Sequence, residues 1–194
     1  MASSRSARAV VLAVAAALLG ACSVGSGEGS VTGTVNAPEC DLEMAAYDLE
    51  PTFFGADPVE EQLEIRIQRG SDFEQFSDGL TILVRDASMV RAELIGIPIE
   101  LTGEFSDLVQ MNVYLNETCP AGRRELPVSL QAVAGFIVFQ NIYAPTLTED
   151  DVENAARFTD VSFVDRESPD ERNATLTGDF VFLHNRGRPA QRFP

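Results

Sequence analysis

The strongest constraint on what this chain can fold into is a two-residue alternation of apolar and polar side chains, which recurs along most of its length. In the clearest case, the range 109–116, four apolar residues alternate with Gln, Asn, Tyr and Asn. Such alternation is typical of a half-buried β-strand, because successive side chains point to opposite faces of a sheet. The pattern predicts strands with one face in a core and the other in water.

Alternation or short apolar runs predict further strands, most of them bounded by turn residues. The predicted strands are 31–35, 63–68, 80–84, 89–95, 97–101, 109–116, 135–143, 161–163 and 177–184. Pro98 places 97–101 at a sheet edge, because proline has no N–H for a ladder hydrogen bond. Many short strands with little helical periodicity predict a mostly β fold, an antiparallel β-sandwich or barrel-like domain with at most one or two short helices.

The best helical candidate is the segment 148–158. Thr148 can cap its first turn, and the carboxylates of Glu149, Asp150 and Asp151 would interact favourably with the positive end of the helix dipole. The segment is therefore predicted to be a short helix with an acidic first turn.

The composition removes several classes of catalyst. The chain has no lysine and a single histidine, His184, which excludes Schiff-base and Walker lysines as well as histidine-rich zinc sites. It also contains no Gly-x-Ser-x-Gly motif. With 14 basic and 30 acidic residues, its net charge of −16 argues against binding to nucleic acids or to anionic membrane surfaces, which require basic surface.

The first 22 residues carry an export pattern. Arg5 and Arg8 form a positive region, the range 9–19 is uninterruptedly apolar, and the sequence Leu19-Gly20-Ala21-Cys22 follows. The apolar run is shorter than the roughly 20 residues that a membrane-spanning helix needs. It has instead the layout of a secretory signal peptide, residues 1–21. Residues 19–22 resemble the lipobox of bacterial lipoproteins.

The resemblance implies cleavage before Cys22, a diacylglyceryl group on its sulfur and often a third acyl chain on its new amino group. Two or three acyl chains give stable anchoring, so the resemblance implies an exported protein held to a membrane by its lipid. In a source with two membranes, Ser23 after the cysteine favours the outer membrane, facing the periplasm or the surface. In a source with one membrane, the expected location is the outer face of the cell membrane.

The organisation of the mature chain follows from this cleavage. Removing residues 1–21 leaves 173 residues with 12 basic and 30 acidic side chains, a net charge of −18 and enough length for a substantial core. The Gly/Ser-rich range 22–30 is predicted to be a flexible tether. Residues 31–194 are predicted to be a single β-rich domain that ends in an extended tail, 186–194, with three arginines.

The remaining cysteines, Cys40 and Cys119, form an even pair once Cys22 carries a lipid. Exported compartments are oxidising, so the two are predicted to form a disulfide. Two buried free thiols are the alternative.

Of three acidic clusters that are candidate Ca²⁺ sites, Glu60-Glu61-Glu64 and Asp165-Glu167-Asp170-Glu171 rank lower. The leading cluster comprises Glu149, Asp150, Asp151 and Glu153. Calcium requires six to eight oxygen ligands, and the spacing of a calcium-binding loop is absent. The start of the predicted helix explains the same residues.

The single histidine lies at the end of the last predicted strand. His184 shares a face with Phe180 and Phe182, and we expect it to cover their edges while one ring nitrogen meets solvent. No nucleophile motif accompanies it, so a structural role is favoured over catalysis.

These observations favour a lipid-anchored envelope protein that acts as a non-enzymatic binding or structural module without a cofactor. The expected partners are the membrane, through the lipid on Cys22, and another envelope protein or a glycan. One alternative is a carboxylate-based glycan hydrolase, since paired Asp and Glu side chains are the one catalytic set that the composition allows. The other is a Ca²⁺-dependent adhesion module.

Overall fold

The computed structural model describes residues 23–25, 27–69, 77–101, 108–119, 128–146 and 152–184. Its regular elements, in chain order, are β1 Ser23–Gly25, β2 Gly27–Ala37, β3 Leu42–Leu49, β4 Phe53–Val59, β5 Gln62–Gln68, β6 Asp78–Val84, α1 Ala87–Glu93, β7 Ile99–Glu100, β8 Val109–Leu115, β9 Ser129–Asn141, β10 Val152–Val164 and β11 Asn173–His184. A short 3-10 turn, Pro38–Cys40, joins β2 to β3. The described part of the chain contains no helix with the length and apolar character needed to cross a membrane.

The strands form one antiparallel sheet in the order β1-β4-β5-β6-β8-β9-β10-β11-β2-β3, and β7 pairs with β9. The β1–β2 and β3–β4 segments are the two arms of one long hairpin, since Ser23 pairs with Ala56 and Ala37 pairs with Leu42. The first arm also pairs with β11, the last strand. The first arm of the hairpin therefore pairs with strands at both ends of the series β4 to β11, so the sheet curls round on itself. This confirms the prediction of a mostly β, antiparallel, barrel-like fold.

The interior of the sheet is filled by alternate side chains of the strands, which form one continuous apolar cluster. Its largest fully buried members include Phe54, Leu63, Ile65, Ile67, Leu80, Ile82, Phe139, Phe158, Phe163 and Phe182. Burying apolar surface contributes about 25 cal/mol per Å², so this cluster is the main source of stability. The predicted alternation at 109–116 is realised in β8, where every odd-numbered residue is buried.

The two ends of the sheet differ in how they are closed. At the end where β1 begins, α1 lies between the β4–β5 turn and the residues after β9. The Ala87 N–H donates to the Glu61 carbonyl at 3.0 Å, and the Arg91 Nη1 donates to the Ile142 carbonyl at 2.8 Å. At the other end, called here the disulfide end, Cys40 is bonded to Cys119, with the two Cα atoms 5.3 Å apart. This is the cysteine pair predicted from the sequence.

The prediction of a helix over 148–158 is wrong for the residues that the structure describes, because Val152–Phe158 belong to β10. Val152, Asn154, Ala156 and Phe158 point inward, and β10 pairs with β9 on one side and β11 on the other. Two adjacent alanines and an inward-facing asparagine hide the alternation in the sequence. Strand pairing on both sides overrides their helix propensity.

The prediction of a strand over 89–95 is also wrong, since α1 covers most of that segment. The Asp86 side chain accepts a hydrogen bond from the Met89 N–H at 2.8 Å and caps the helix. Ala87 and Val90 are buried and Leu94 packs against the core, which is the spacing of one helical face. The expected edge strand 97–101 is reduced to the two residues of β7.

Two further expectations, for the tether and for His184, are corrected as well. The predicted tether 22–30 is too long, because Ser23–Gly25 pair with β4 and Gly27–Ser30 pair with β11. Backbone hydrogen bonding fixes these Gly/Ser residues although their composition favours flexibility. His184 was expected to keep one ring nitrogen in solvent, but it is only 2% exposed. Tyr143 packs on it, with the two ring centroids 4.3 Å apart.

Candidate binding groove

A polar groove of about 570 Å³ lies on the outer face of β8 and β9, below the connection between β10 and β11. Its lining residues are Gln110, Asn112, Ser129, Gln131, Asp165, Arg166, Glu167 and Arg172. The first four belong to the sheet and are called here the groove floor. The last four belong to the connection and are called the groove wall.

The floor is built by the same alternation that builds the core. Met111 and Val113 of β8 are completely buried, so Asn112 between them points outward. Asn112 pairs with Gln131 of β9, and Tyr114 pairs with Ser129. The antiparallel register therefore places polar side chains from two strands side by side on one outer surface.

The floor offers hydrogen-bonding groups that the described residues do not use. Gln110, Asn112 and Gln131 are half-buried, and within the described part of the chain their side-chain amides form no hydrogen bond. Each amide carries two donors and one carbonyl acceptor. Polar groups that are partly removed from water and unpaired favour a ligand that can satisfy them.

The wall is held in place by an ion-pair network. Arg172 contacts the Asp165 carboxylate through Nη1 at 2.9 Å and the Glu39 carboxylate through Nε at 2.6 Å. The Glu167 N–H donates to Asp165 Oδ1 at 2.8 Å. Glu39 lies directly before Cys40, so the network ties the wall to the β2–β3 turn and, through the disulfide, to the end of β8.

The electrostatics of the wall follow from these contacts. Burial raises the pKa of Asp165, but the hydrogen bond from the Glu167 N–H and the contact with Arg172 outweigh it, and its pKa lies below the ordinary value. The same carboxylate and Glu39 raise the pKa of Arg172 despite its partial burial. Both groups are therefore charged near neutral pH and neutralise each other within the wall.

A second groove, of about 350 Å³, lies farther along the outer face of β9 and is mainly apolar. It is lined by Pro98, Phe136, Val138, Arg157 and Thr159. Phe136 is half-exposed, and Ile97 beside Pro98 is exposed to a similar degree. One outer face of β9 thus changes from polar at Gln131 to apolar at Phe136.

The fold explains the buried carboxylate of Asp78. Asp78, which is fully buried, accepts hydrogen bonds from the backbone N–H groups of Glu117 and Thr118 at 2.8 and 3.0 Å. The hydroxyls of Thr118 and Tyr47 donate to its other oxygen. Asp78 therefore fixes the turn that carries Cys119. Burial and the neighbouring Asp78 carboxylate raise the pKa of Tyr47, so its hydroxyl stays protonated.

Several of the residues singled out from the sequence, namely Cys22, Glu149, Asp150, Asp151 and the tail 186–194, lie outside the described residues. Glu153 is exposed on β10, where it pairs with Leu183, so strand pairing and not a helix start explains its position. In the described chain, the one group of three potential metal ligands is Glu39 with Cys40 and Cys119, and a disulfide offers no thiolate.

Comparison with known proteins gives no assignment: no family model, no curated protein and no solved structure matches the chain.

The ion pair in the wall predicts a contribution to stability that depends on pH. Because the folded-state pKa of Asp165 is lowered, its contribution is present above its unfolded-state pKa and is lost as pH falls through the folded-state pKa. Asp165→Asn is expected to lower the free energy of unfolding by about 1–3 kcal/mol at pH 7. The deficit relative to wild type should shrink below pH 4, in urea titrations at both pH values.

Glu43→Gln is the matched control for this test, because Glu43 is exposed on β3. It should change stability by less than about 0.5 kcal/mol at either pH. A deficit in Asp165→Asn that stayed constant between pH 7 and pH 3 would contradict the assigned role of the ion pair.

Proposed function

We propose that this protein is a lipid-anchored component of the cell envelope, attached to the membrane at Cys22, that binds a ligand non-covalently through the polar groove. The observation that carries the proposal is the set of half-buried amides of Gln110, Asn112 and Gln131, which form no hydrogen bond within the described part of the chain, in a groove of about 570 Å³. This volume lies within the roughly 300–1,000 Å³ typical of ligand pockets. The filled interior of the sheet favours binding on the outside.

The carboxylates of the groove favour binding over glycan hydrolysis. A general acid in a glycosidase needs a raised pKa, whereas the pKa of Asp165 is lowered. Asp165 and Glu167 both belong to the wall, while two catalytic carboxylates must flank the scissile bond. The alternative of a Ca²⁺-dependent adhesion module has little support at Glu153, which lies within a paired strand and not in a loop that wraps an ion.

The anchor at Cys22 is tested by Cys22→Ser in the full-length chain expressed in its native host. The variant should lose the lipid and leave the detergent-extracted membrane fraction, because a single thioether carries the stable anchor. Fractionation with mass spectrometry of the mature N-terminus measures both effects. A wild-type protein with an unmodified Cys22 would disprove the anchor.

The groove is tested separately by photo-crosslinking in intact cells. A photoreactive phenylalanine analogue replaces Gln110 in the floor or, as a matched control, Thr32, which is exposed on β2. β2 is four strands from β8 in the sheet order and lies away from the groove. We expect a crosslinked species from position 110 and none from position 32. Equal labelling at both positions, or labelling at 32 alone, would contradict a binding role for the groove.

A further inference from the structure

We infer that the ligand of the polar groove is a carbohydrate chain that is uncharged or weakly charged, and this inference rests on the proposed binding role of the groove. The floor presents amides from two strands and a serine hydroxyl, with no charged side chain among its four residues. Each amide both donates and accepts hydrogen bonds, as adjacent sugar hydroxyls do. Such a surface matches a ligand rich in hydroxyl groups.

The charges of the wall make an ionic ligand a poor match. Arg172 already contacts two carboxylates, Asp165 and Glu39. The two arginines and two acids of the wall cancel in formal charge. A polyanionic ligand would need several arginine side chains that are not already paired with acids, and a cationic peptide would need unpaired carboxylates. Several such groups are needed because solvent and salt screen each charge pair at an exposed surface. A ligand that is recognised by hydrogen bonds between uncharged groups fits a groove whose wall charges cancel.

An aromatic side chain extends the floor in the direction of the strand. Tyr114 lies on the same outer face as Asn112, pairs with Ser129 on one side and faces Gly79 of β6 on the other. Gly79 has no side chain, and Tyr114 lines a small cleft there together with Gln68 of β5 and Thr81 of β6. An aromatic ring can pack against the C–H face of a sugar ring.

The spacing of these groups suits a chain and not a single small molecule. Gln110, Asn112 and Tyr114 are alternate residues of one strand, so their side chains recur at about 6.6–6.8 Å over a total of about 13 Å. That length accommodates more than one sugar ring. The glycan of an envelope can come from the cell wall or from a soluble or surface polysaccharide, and the same chemistry recognises both.

The inference is tested by binding of the purified, disulfide-intact mature protein to two probes. Purified cell-wall sacculi are used in a pull-down, and soluble surface polysaccharide of the same cells is used in affinity gel electrophoresis. Wild-type protein should be retained by at least one probe. The double variant Asn112→Ala with Gln131→Ala should bind at least tenfold more weakly, and Tyr114→Ala should also weaken retention.

Two further variants separate a loss of binding from a loss of folding. Tyr114→Phe keeps the ring and should retain most of the binding, and Thr32→Ala on β2 should bind as wild type. Melting temperatures of all variants are compared in the same buffer. Failure of the wild-type protein to bind either probe, or unchanged binding by the double variant, would overturn the carbohydrate assignment. A crosslinked protein at position 110 together with no glycan binding would refute the carbohydrate and leave the binding role of the groove intact.

Discussion

Replacing both Cys40 and Cys119 by alanine is expected to lower the free energy of unfolding by about 4–5 kcal/mol, the largest effect predicted for this chain. The disulfide closes a loop with a sequence separation of 79 residues, and its main effect is to restrict the unfolded chain. It also joins the β2–β3 turn to the end of β8, two segments that are not neighbours in the sheet. Both cysteines are buried.

Urea denaturation of the wild-type protein and of the double variant measures this effect, with and without reductant. Reductant should destabilise the wild-type protein and leave the variant unchanged, which controls for effects of the reductant elsewhere. A loss below about 1 kcal/mol would contradict the predicted contribution. So would two free thiols that can be alkylated in the native wild-type protein.

Phe182→Ala is expected to cost about 3–5 kcal/mol, the usual range for truncating a buried phenylalanine. Phe182 is 1% exposed, and its ring contacts those of Phe54 and Phe180 at centroid distances of 5.9 and 6.0 Å. It lies opposite Gly27 where β11 pairs with β2, and a Cβ atom at Gly27 would lie 2.5 Å from the Cβ of Phe182. Truncation therefore leaves a cavity at the junction between the first and last strands.

The next residue supplies the matched control for this prediction. Leu183 points to the outer face of the same strand and is 44% exposed. Leu183→Ala should change stability by about 0.5 kcal/mol or less, as is usual for surface positions. Similar losses for Phe182→Ala and Leu183→Ala would mean that the assignment of inner and outer faces in β11 is wrong.

Alternation predicted the fold class because the sheet has a filled inner face and a hydrated outer face. Segments with an uninterrupted apolar–polar period, such as β5, β8 and β11, were located within a few residues. The prediction failed where the inner face is not apolar throughout. In β10 the inward Asn154 uses its carbonyl to accept a hydrogen bond from the Tyr143 N–H at 2.8 Å, a contact that only the folded chain provides.

The strands β3 and β4 were missed for a related reason. Only Tyr47 and Leu49 of β3 are buried, so most of that strand has no apolar period to detect. In β4 the buried residues Phe53–Ala56 are consecutive, and Pro58 interrupts the run. β3 pairs with β2, and β4 pairs with β1. No local sequence pattern in 42–59 predicts these pairings.

The groove was not predictable as a site: Gln110 and Asn112 were predicted on the polar face of a strand, but Ser129 and Gln131 lay outside the predicted strands. Gln110 and Asn112 are brought beside Gln131 by strand register, and residues 165–172 are brought above them by the return from β10 to β11. Neither contact has a signature in a single sequence. Asp165 and Glu167 carry no motif that separates them from the many other acidic residues of the chain.

The most direct test of the polar groove as the binding site is hydroxyl-radical footprinting of the protein alone and of the protein bound in its native envelope. Oxidation of Tyr114 and of the 165–172 connection should fall several-fold in the bound state, because the proposed ligand covers the polar groove. Met44, which is 64% exposed on β3, should be oxidised equally in both states, and so should Phe136 in the apolar groove. Protection of Phe136 without protection of Tyr114 and the 165–172 connection would contradict the assignment of the polar groove as the binding site.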